Sequence, residues 1–295
     1  MRHLLEIDDL DAAELADVLE RAARRDPPQV LASQGVALLF EKPSARTRNS
    51  SEMAVVQLGG HPVYITGQEV GLDTRESTED VTRTLACYHR VLGARVFDHR
   101  RLERMVAVSA LPIVNLLSDA AHPMQALADL LTIREHVGSL AGRTLAWVGD
   151  ANNVARSLML GAAMSGMKLR LASPPGYRFD DVDLDRIRAA GAEPVVCERP
   201  EEAVEGADVV STDVWTSMGQ EAEAEARLAA FEGYTVDARL MERAAPDGIF
   251  LHCLPAHRGE EVADDVVDGP RSRVWPQAEN RMHAARGLLW WLVEQ

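Results

Sequence analysis

The sequence predicts an α/β fold of two domains, each a parallel sheet flanked by helices. Three observations carry that expectation. Short apolar runs alternate with segments of helical periodicity along the chain. The runs are apolar on both faces, as strands covered by helices on both sides must be. A length of 295 residues is long for one core and comfortable for two.

The strand candidates, in order, are 36–40 (VALLF), 61–65, 94–97, 111–116 (LPIVNL), 144–148 (TLAWV), 168–172, 194–197, 208–212 and 248–253 (GIFLHC). Between them, residues 46–58, 78–92, 123–137, 153–165 and 278–293 place apolar side chains near i, i+3 and i+4, the spacing of one helix face. A boundary is expected near 135–142 (EHVGSLAG), where a long helix ends at Gly138 and a new strand begins. The reading is therefore a first domain over 1–136, completed by the C-terminal helix 278–295, and a second over 137–277. No internal repeat and no low-complexity linker interrupts this order.

Composition narrows the function classes. Forty-six acidic residues against 31 basic ones give a formal charge of −15. Nucleic acid and anionic membrane surfaces are disfavoured as partners, because both need spread positive charge. Three cysteines, Cys87, Cys197 and Cys253, without CxxC spacing fit a reducing cytoplasm better than a disulfide framework. Acids stand early in MRHLLEIDDLDAAEL, where a signal peptide would be apolar, so a soluble cytoplasmic protein is expected.

In open parallel sheets, ligands sit beyond the carboxyl ends of the strands. Five polar stretches follow strand candidates: Ser44 to Arg48, Ser118 to Gln125, Gly149 to Asn153, Asp213 to Gly219 and His252 to Arg258. In the first, Ser44 and Thr47 supply hydroxyls at a helix start whose free N–H groups and dipole favour an anion. Arg46 adds a planar fork of donors matched to phosphate oxygens. No GxxxxGK[ST] is present, so this is not a nucleotide triphosphate loop. His122 and Gln125, at i and i+3, share one helix face, with Pro123 suited to the first helical position. GDANN lacks the G-x-G-x-x-G of a dinucleotide site. His252, Cys253 and His257 lack the second ligand pair of a zinc site.

Ser44-Ala45-Arg46-Thr47-Arg48 resembles the S-T-R-T-R carbamoyl-phosphate signature of the aspartate/ornithine carbamoyltransferase family. The resemblance continues through HPMQ at 122–125, GDANN at 149–153, DVWTSMG at 213–219, HCLPAHRGEEV at 252–262 and AENRMH at 278–283. The SMG and HCLP elements are those of the ornithine branch. The resemblance implies transfer of a carbamoyl group from carbamoyl phosphate to the δ-amine of L-ornithine, in a cleft between the domains, giving L-citrulline and phosphate. It assigns carbamoyl phosphate to Ser44, Ala45, Arg46, Thr47 and Arg95, with its carbamoyl end on His122, Gln125, Cys253, Leu254 and Arg281. Ornithine falls to Asn153, Asp213, Ser217 and Met218, and the catalytic set is Arg46, His122, Asp213, Cys253 and Arg281. No cofactor and no metal are implied. A homotrimer, or an assembly of trimers, is implied.

The sequence departs from the family pattern at four positions. Ala45 replaces a threonine of S-T-R-T-R, which keeps the backbone N–H and loses one hydroxyl. Ser51 stands where an aromatic is common, and Cys87 where arginine is common. Gly71 occupies the place of a glutamine that in relatives reaches a neighbouring subunit's phosphate site, with Gln68 three residues earlier. Competing readings are a carbamoyltransferase for aspartate, N-acetylornithine or putrescine, a non-catalytic carbamoyl-phosphate or amino-acid binding subunit, and a nicotinamide-dependent oxidoreductase. An aspartate enzyme would call for extra cations in the second domain's loops, where Asp213 stands instead.

Overall fold

The computed structural model describes residues 1–216 and 221–295. The chain divides into two compact units, Met1–Leu131 with Glu279–Gln295, and Thr132–Ala278.

In the first unit, strands β1 (Gly35–Phe40), β2 (His61–Thr66), β3 (His89–Arg95) and β4 (Ile113–Leu117) form one parallel sheet in the order β2-β1-β3-β4. Helices α1 (Ala12–Ala23), α2 (Ala45–Gln57), α3 (Gly67–Val70), α4 (Thr78–Ala86) and α5 (Arg100–Val108) alternate with the strands. β1 is buried from Val36 to Phe40, as an inner strand covered on both faces must be. Ala37, Leu39, Leu92, Ala94 and Ile113 form a core with Leu102 and Met105 of α5. α1 starts where it does because Asp11 accepts the Ala13 and Glu14 N–H groups, while Glu14 reaches back to the Asp11 N–H. Its Leu15, Val18, Leu19 and Ala22 then fall on the buried face.

In the second unit, β5 (Thr144–Val148), β6 (Lys168–Ala172), β7 (Val195–Cys197), β8 (Val209–Thr212) and β9 (Ile249–His252) form a parallel sheet in the order β7-β6-β5-β8-β9. Helix α6 (Pro123–Val137) leads into this unit, followed by α7 (Asn153–Met164), α8 (Asp181–Ala189), α9 (Pro200–Val204), α10 (Ala224–Ala230), α11 (Ala238–Met241), α12 (Asp264–Val267) and α13 (Val274–Val293). The division between units falls at Leu131/Thr132, inside α6, and again at Ala278/Glu279, inside α13.

Both sheets reverse their strand order once. In the first, the chain runs from β1 outward to β2, then restarts beside β1 with β3 and β4. In the second, it runs from β5 through β6 to β7, then restarts beside β5 with β8 and β9. Each reversal opens a crevice at the carboxyl ends of the two strands it separates, the usual ligand position of such sheets.

Three element boundaries differ from the sequence reading by more than two residues. The segment expected as one helix over 78–92 stops at Ala86, and the strand expected at 94–97 spans His89–Arg95. Its residues pair with both β1 and β4, and a short apolar run of this kind fits either periodicity until its neighbours decide. The last helix begins at Val274, not Ala278, and holds Pro276 in its first turn. A proline there costs no hydrogen bond, because first-turn N–H groups have no intrahelical partner.

The C-terminal part of α13 packs on α1 with almost no clearance. A Cβ on Gly287 would lie 2.6 Å from the Ala22 nitrogen and 2.7 Å from its Cα. The neighbouring Arg286 is buried and donates to the Ala22 carbonyl at 2.9 Å and to Gln57 Oε1 at 2.8 Å. Gly287→Ala is therefore expected to lower stability by about 1–3 kcal/mol, read as a lower unfolding midpoint. An unchanged midpoint would contradict this close crossing.

Candidate active site

The first unit gathers cations at the carboxyl ends of its strands. β1 leads to Lys42 and Ser44, β3 ends at Arg95, and β4 leads to His122 at the start of α6. Ser44 is the N-cap of α2, accepting the Thr47 N–H at 3.3 Å and donating its hydroxyl to Thr47 Oγ1 at 3.1 Å. Thr47 Oγ1 also accepts from Arg281 Nη2 at 3.1 Å. The other arm of Arg281 donates to Gln125 Oε1, and Gln125 Nε2 donates to Asp129 at 2.7 Å. A chain of side chains thus fixes the Arg281 guanidinium between α2 and α6. Thr47, Arg95, His122, Gln125 and Arg281 are all buried.

Arg46 and Ala45 are exposed on the first turn of α2. Arg48 is exposed as well, but it pairs with Glu52 at 2.8 Å and lies over the Tyr64 ring, 3.8 Å from its centroid. The two arginines of the motif are therefore not equivalent. Arg48 braces the helix, whereas Arg46 stands exposed at the helix start.

Electrostatics sets this half-site apart. Burial and the nearby Arg281, Arg95 and Lys42 charges push the His122 pKa well below the usual imidazole value, so the ring is neutral. Burial and Arg95 also lower the Lys42 pKa, against the opposing pull of Asp119 and Glu41. Buried groups beside several cations in this way make a neighbourhood that favours negative charge. Lys42 was not singled out by the sequence reading, although it lies two residues before Ser44. The loop carrying His122 is held by Ser118, whose hydroxyl accepts from Ala121 N at 3.2 Å and from Asn115 Nδ2 at 3.1 Å. Asn115 is another residue the sequence reading passed over; its signal is a polar side chain inside the apolar run LPIVNL.

The second unit places a carboxylate at the equivalent position. Asp213 follows β8, is buried, and accepts from Cys253 Sγ at 3.0 Å and from Asn152 Nδ2 at 2.9 Å. Asn152 also caps α7, its Oδ1 accepting the Val154 and Ala155 N–H groups at 3.0 and 3.1 Å. The cap residue therefore orients the Asp213 carboxylate, and Asn153 becomes the first residue of α7. Ser217 and Met218 lie outside the described residues.

Cys253 follows β9, and the backbone after it is set by the preceding histidine. Leu254 has a left-handed φ of 61° and a cis bond to Pro255, and its N–H donates to His252 Nδ1 at 2.9 Å. His252 therefore keeps its proton on Nε2, which faces Glu261 Oε1 at 3.0 Å. Glu261 Oε1 also accepts the His257 N–H at 2.7 Å. Ligand atoms of Asp213, His252 and Cys253 lie within 4.8 Å of one another. Both ring nitrogens of His252 are already engaged, so a metal at this cluster would have to break a hydrogen bond of the HCLP turn.

The first unit ends its sheet in a cluster of cations around His122 and Gln125, and the second in a buried carboxylate beside a thiol. The comparisons give the class. Residues 2–135 match the aspartate/ornithine carbamoyltransferase, carbamoyl-P binding domain, and residues 141–292 match the aspartate/ornithine carbamoyltransferase, Asp/Orn binding domain. The chain belongs to the aspartate/ornithine carbamoyltransferase family. It is 48% identical to an ornithine carbamoyltransferase of Thermus thermophilus over 281 residues, covering 95% of this chain and 92% of that one. It is 47% identical to an ornithine carbamoyltransferase of Acidothermus cellulolyticus, covering 100% of this chain and 97% of that one. The solved structure of ornithine carbamoyltransferase from Pyrococcus furiosus is similar with a TM-score of 0.94 at 42% identity, covering 99% of this chain and 97% of that chain.

The state of His122 is directly measurable. Its lowered pKa leaves it neutral at neutral pH in the ligand-free protein, so its ring resonances, assigned by loss in His122→Gln, should titrate well below the ordinary imidazole range. A midpoint near ~6.5, the unperturbed value, would contradict the cationic surroundings.

Proposed function

We propose that the protein transfers the carbamoyl group of carbamoyl phosphate to the δ-amine of L-ornithine, giving L-citrulline and phosphate. One observation carries the reading: the two units end their sheets in half-sites of opposite charge. A cation-lined site with a helix start suits a phosphorylated donor, and a buried carboxylate suits an ammonium-bearing acceptor.

Carbamoyl phosphate binds on Ser44, the Ala45 N–H, Arg46, Thr47 and Arg95, with Lys42 adding charge. His122, Gln125 and Arg281 address its carbamoyl end, together with Cys253 and the Leu254 carbonyl. Neutral His122 donates a hydrogen bond to the carbonyl oxygen, which gains negative charge as the tetrahedral intermediate forms, and Arg281 stabilises the same charge. Ornithine binds through Asn153, Asp213, Ser217 and Met218, its α-ammonium on Asp213. The amine nitrogen forms a bond to the carbamoyl carbon, the C–O bond to phosphate breaks, and the amine proton is released. Phosphate is a good leaving group, so positioning and oxyanion stabilisation suffice without a metal or cofactor.

An alkylamine with an unperturbed pKa near ~10.4 costs about 4–5 kcal/mol to neutralise at pH 7. Cys253 beside Asp213 is the local group suited to favour the neutral amine. The protein works in the cytoplasm as a homotrimer. Met53 and Val56, three apart on α2 and both about half exposed, support an apolar contact between chains.

Ornithine, N-acetylornithine, putrescine and aspartate assayed side by side with carbamoyl phosphate test the substrate. Ornithine should give the highest kcat/KM by at least tenfold, with a rate that climbs from pH 6 to 9 as its amine deprotonates. Faster turnover of another amine would replace the reading, and no turnover of any would favour a binding subunit.

A further inference from the structure

Arg227 of α10 is almost fully buried, yet nothing in the proposed reaction uses it. Its Nη1 donates both to Asp150 Oδ2 and to the Trp215 carbonyl, each at 2.9 Å, and its Nε donates to Glu223 at 3.1 Å. The guanidinium lies over Tyr177, 4.9 Å from the ring centroid. Trp215 stacks on Phe231 at 5.3 Å and 15°, and Tyr177 packs on the same Phe231 at 4.8 Å. The Tyr177 carbonyl accepts the Ala151 N–H at 3.0 Å.

The two segments Arg227 joins are those that hold Asp213. Asp150 lies two residues before Asn152, which grips the Asp213 carboxylate, and Trp215 lies two residues after Asp213. We propose that Arg227 is a positioning residue for the amine half-site. It locks the Asp150 and Trp215 segments together and cancels the Asp150 charge, so that Asp213 alone addresses the substrate ammonium. The proposal rests on the reading of Asp213 as the ammonium partner.

The charges facing Asp150 support this. Burial raises its pKa, Arg227 pulls it down, and Asp213 and Glu223 push it up. Without Arg227, a second buried carboxylate would stand near Asp213 with no cation facing it among the described residues, and its ionisation would draw the ammonium away from its productive place. An ion pair that only stabilised the fold would affect both substrates alike or neither.

The test compares wild type, Arg227→Met, Arg227→Lys and the Arg227→Met/Asp150→Asn double variant. KM is measured for each substrate, and the Asp150 carboxyl is titrated by carbon NMR in the ligand-free protein, assigned by its loss in Asp150→Asn. Arg227→Met should raise KM for ornithine at least tenfold, leave KM for carbamoyl phosphate within twofold, and move the Asp150 titration to higher pH. Its ornithine KM should worsen as pH rises through that titration, and Asp150→Asn should remove this pH dependence. If Arg227→Met does not fold, Arg227→Lys decides: it keeps the charge but loses the planar fork, so ornithine KM should rise while the Asp150 titration stays in place. An unmoved Asp150 titration in Arg227→Met, parallel rises in both KM values, or unchanged ornithine KM in both variants would overturn the proposal. A wild type that makes no citrulline would instead reject the reaction, while the Asp150 titration would still report on Arg227.

Discussion

Lys42, Arg95 and Arg281 share one neighbourhood in the first unit, with the neutral ring of His122 among them. Burial and like-charged neighbours both disfavour charge here, and together they depress the pKa values of Lys42 and His122. The groups hang from a rigid frame: an inner strand end, a helix cap and two long helices. An anion entering the site reverses the sign of the interaction. Burial, with the same neighbouring charges, keeps His122 uncharged.

The topology explains why both half-sites can exist in one chain. Parallel strands deliver all their carboxyl ends to one edge, and each sheet has a single place where its strand order reverses. Lys42 and Ser44 follow β1 while Arg95 ends β3, the two strands at the first reversal. Asn152 follows β5 and Asp213 follows β8, the two strands at the second. The architecture is repeated, and the chemistry is opposite: exposed guanidinium and helix-start amides in one unit, a buried carboxylate held by an amide and a thiol in the other. Side chains at equivalent strand ends set the sign of the ligand.

Much of this was legible in the sequence because the elements obey local rules. The β5 and β6 spans and the α6 span follow from apolar runs and helical spacing alone, and Ser44 announces itself as a cap by its place before a helix. The misplacement of β3 came from VLGARVF, whose apolar residues satisfy either period until β1 and β4 claim them. The residues that were missed act through tertiary contacts. Lys42 looks like an ordinary lysine until Arg95 stands beside it. Asn152 looks interchangeable with Asn153 until its amide meets Asp213, sixty-one positions away in the chain. Arg227 sits in an alanine-rich helix that reads as surface, and only the fold turns it inward to Asp150. Family motifs point to ligand-touching groups, and leave out the supports that orient them.

The most direct test of the account is a calorimetric titration of the ligand-free protein with phosphonoacetamide, the unreactive phosphonate counterpart of carbamoyl phosphate. Wild type, Lys42→Met and Arg46→Ala would be compared at low and moderate salt. The account predicts one site per chain in wild type, at least tenfold weaker binding in each variant (a loss of about 1.4 kcal/mol or more), and an affinity that falls as salt rises. Equal affinity in all three proteins would contradict the claim that these gathered cations are what hold the donor.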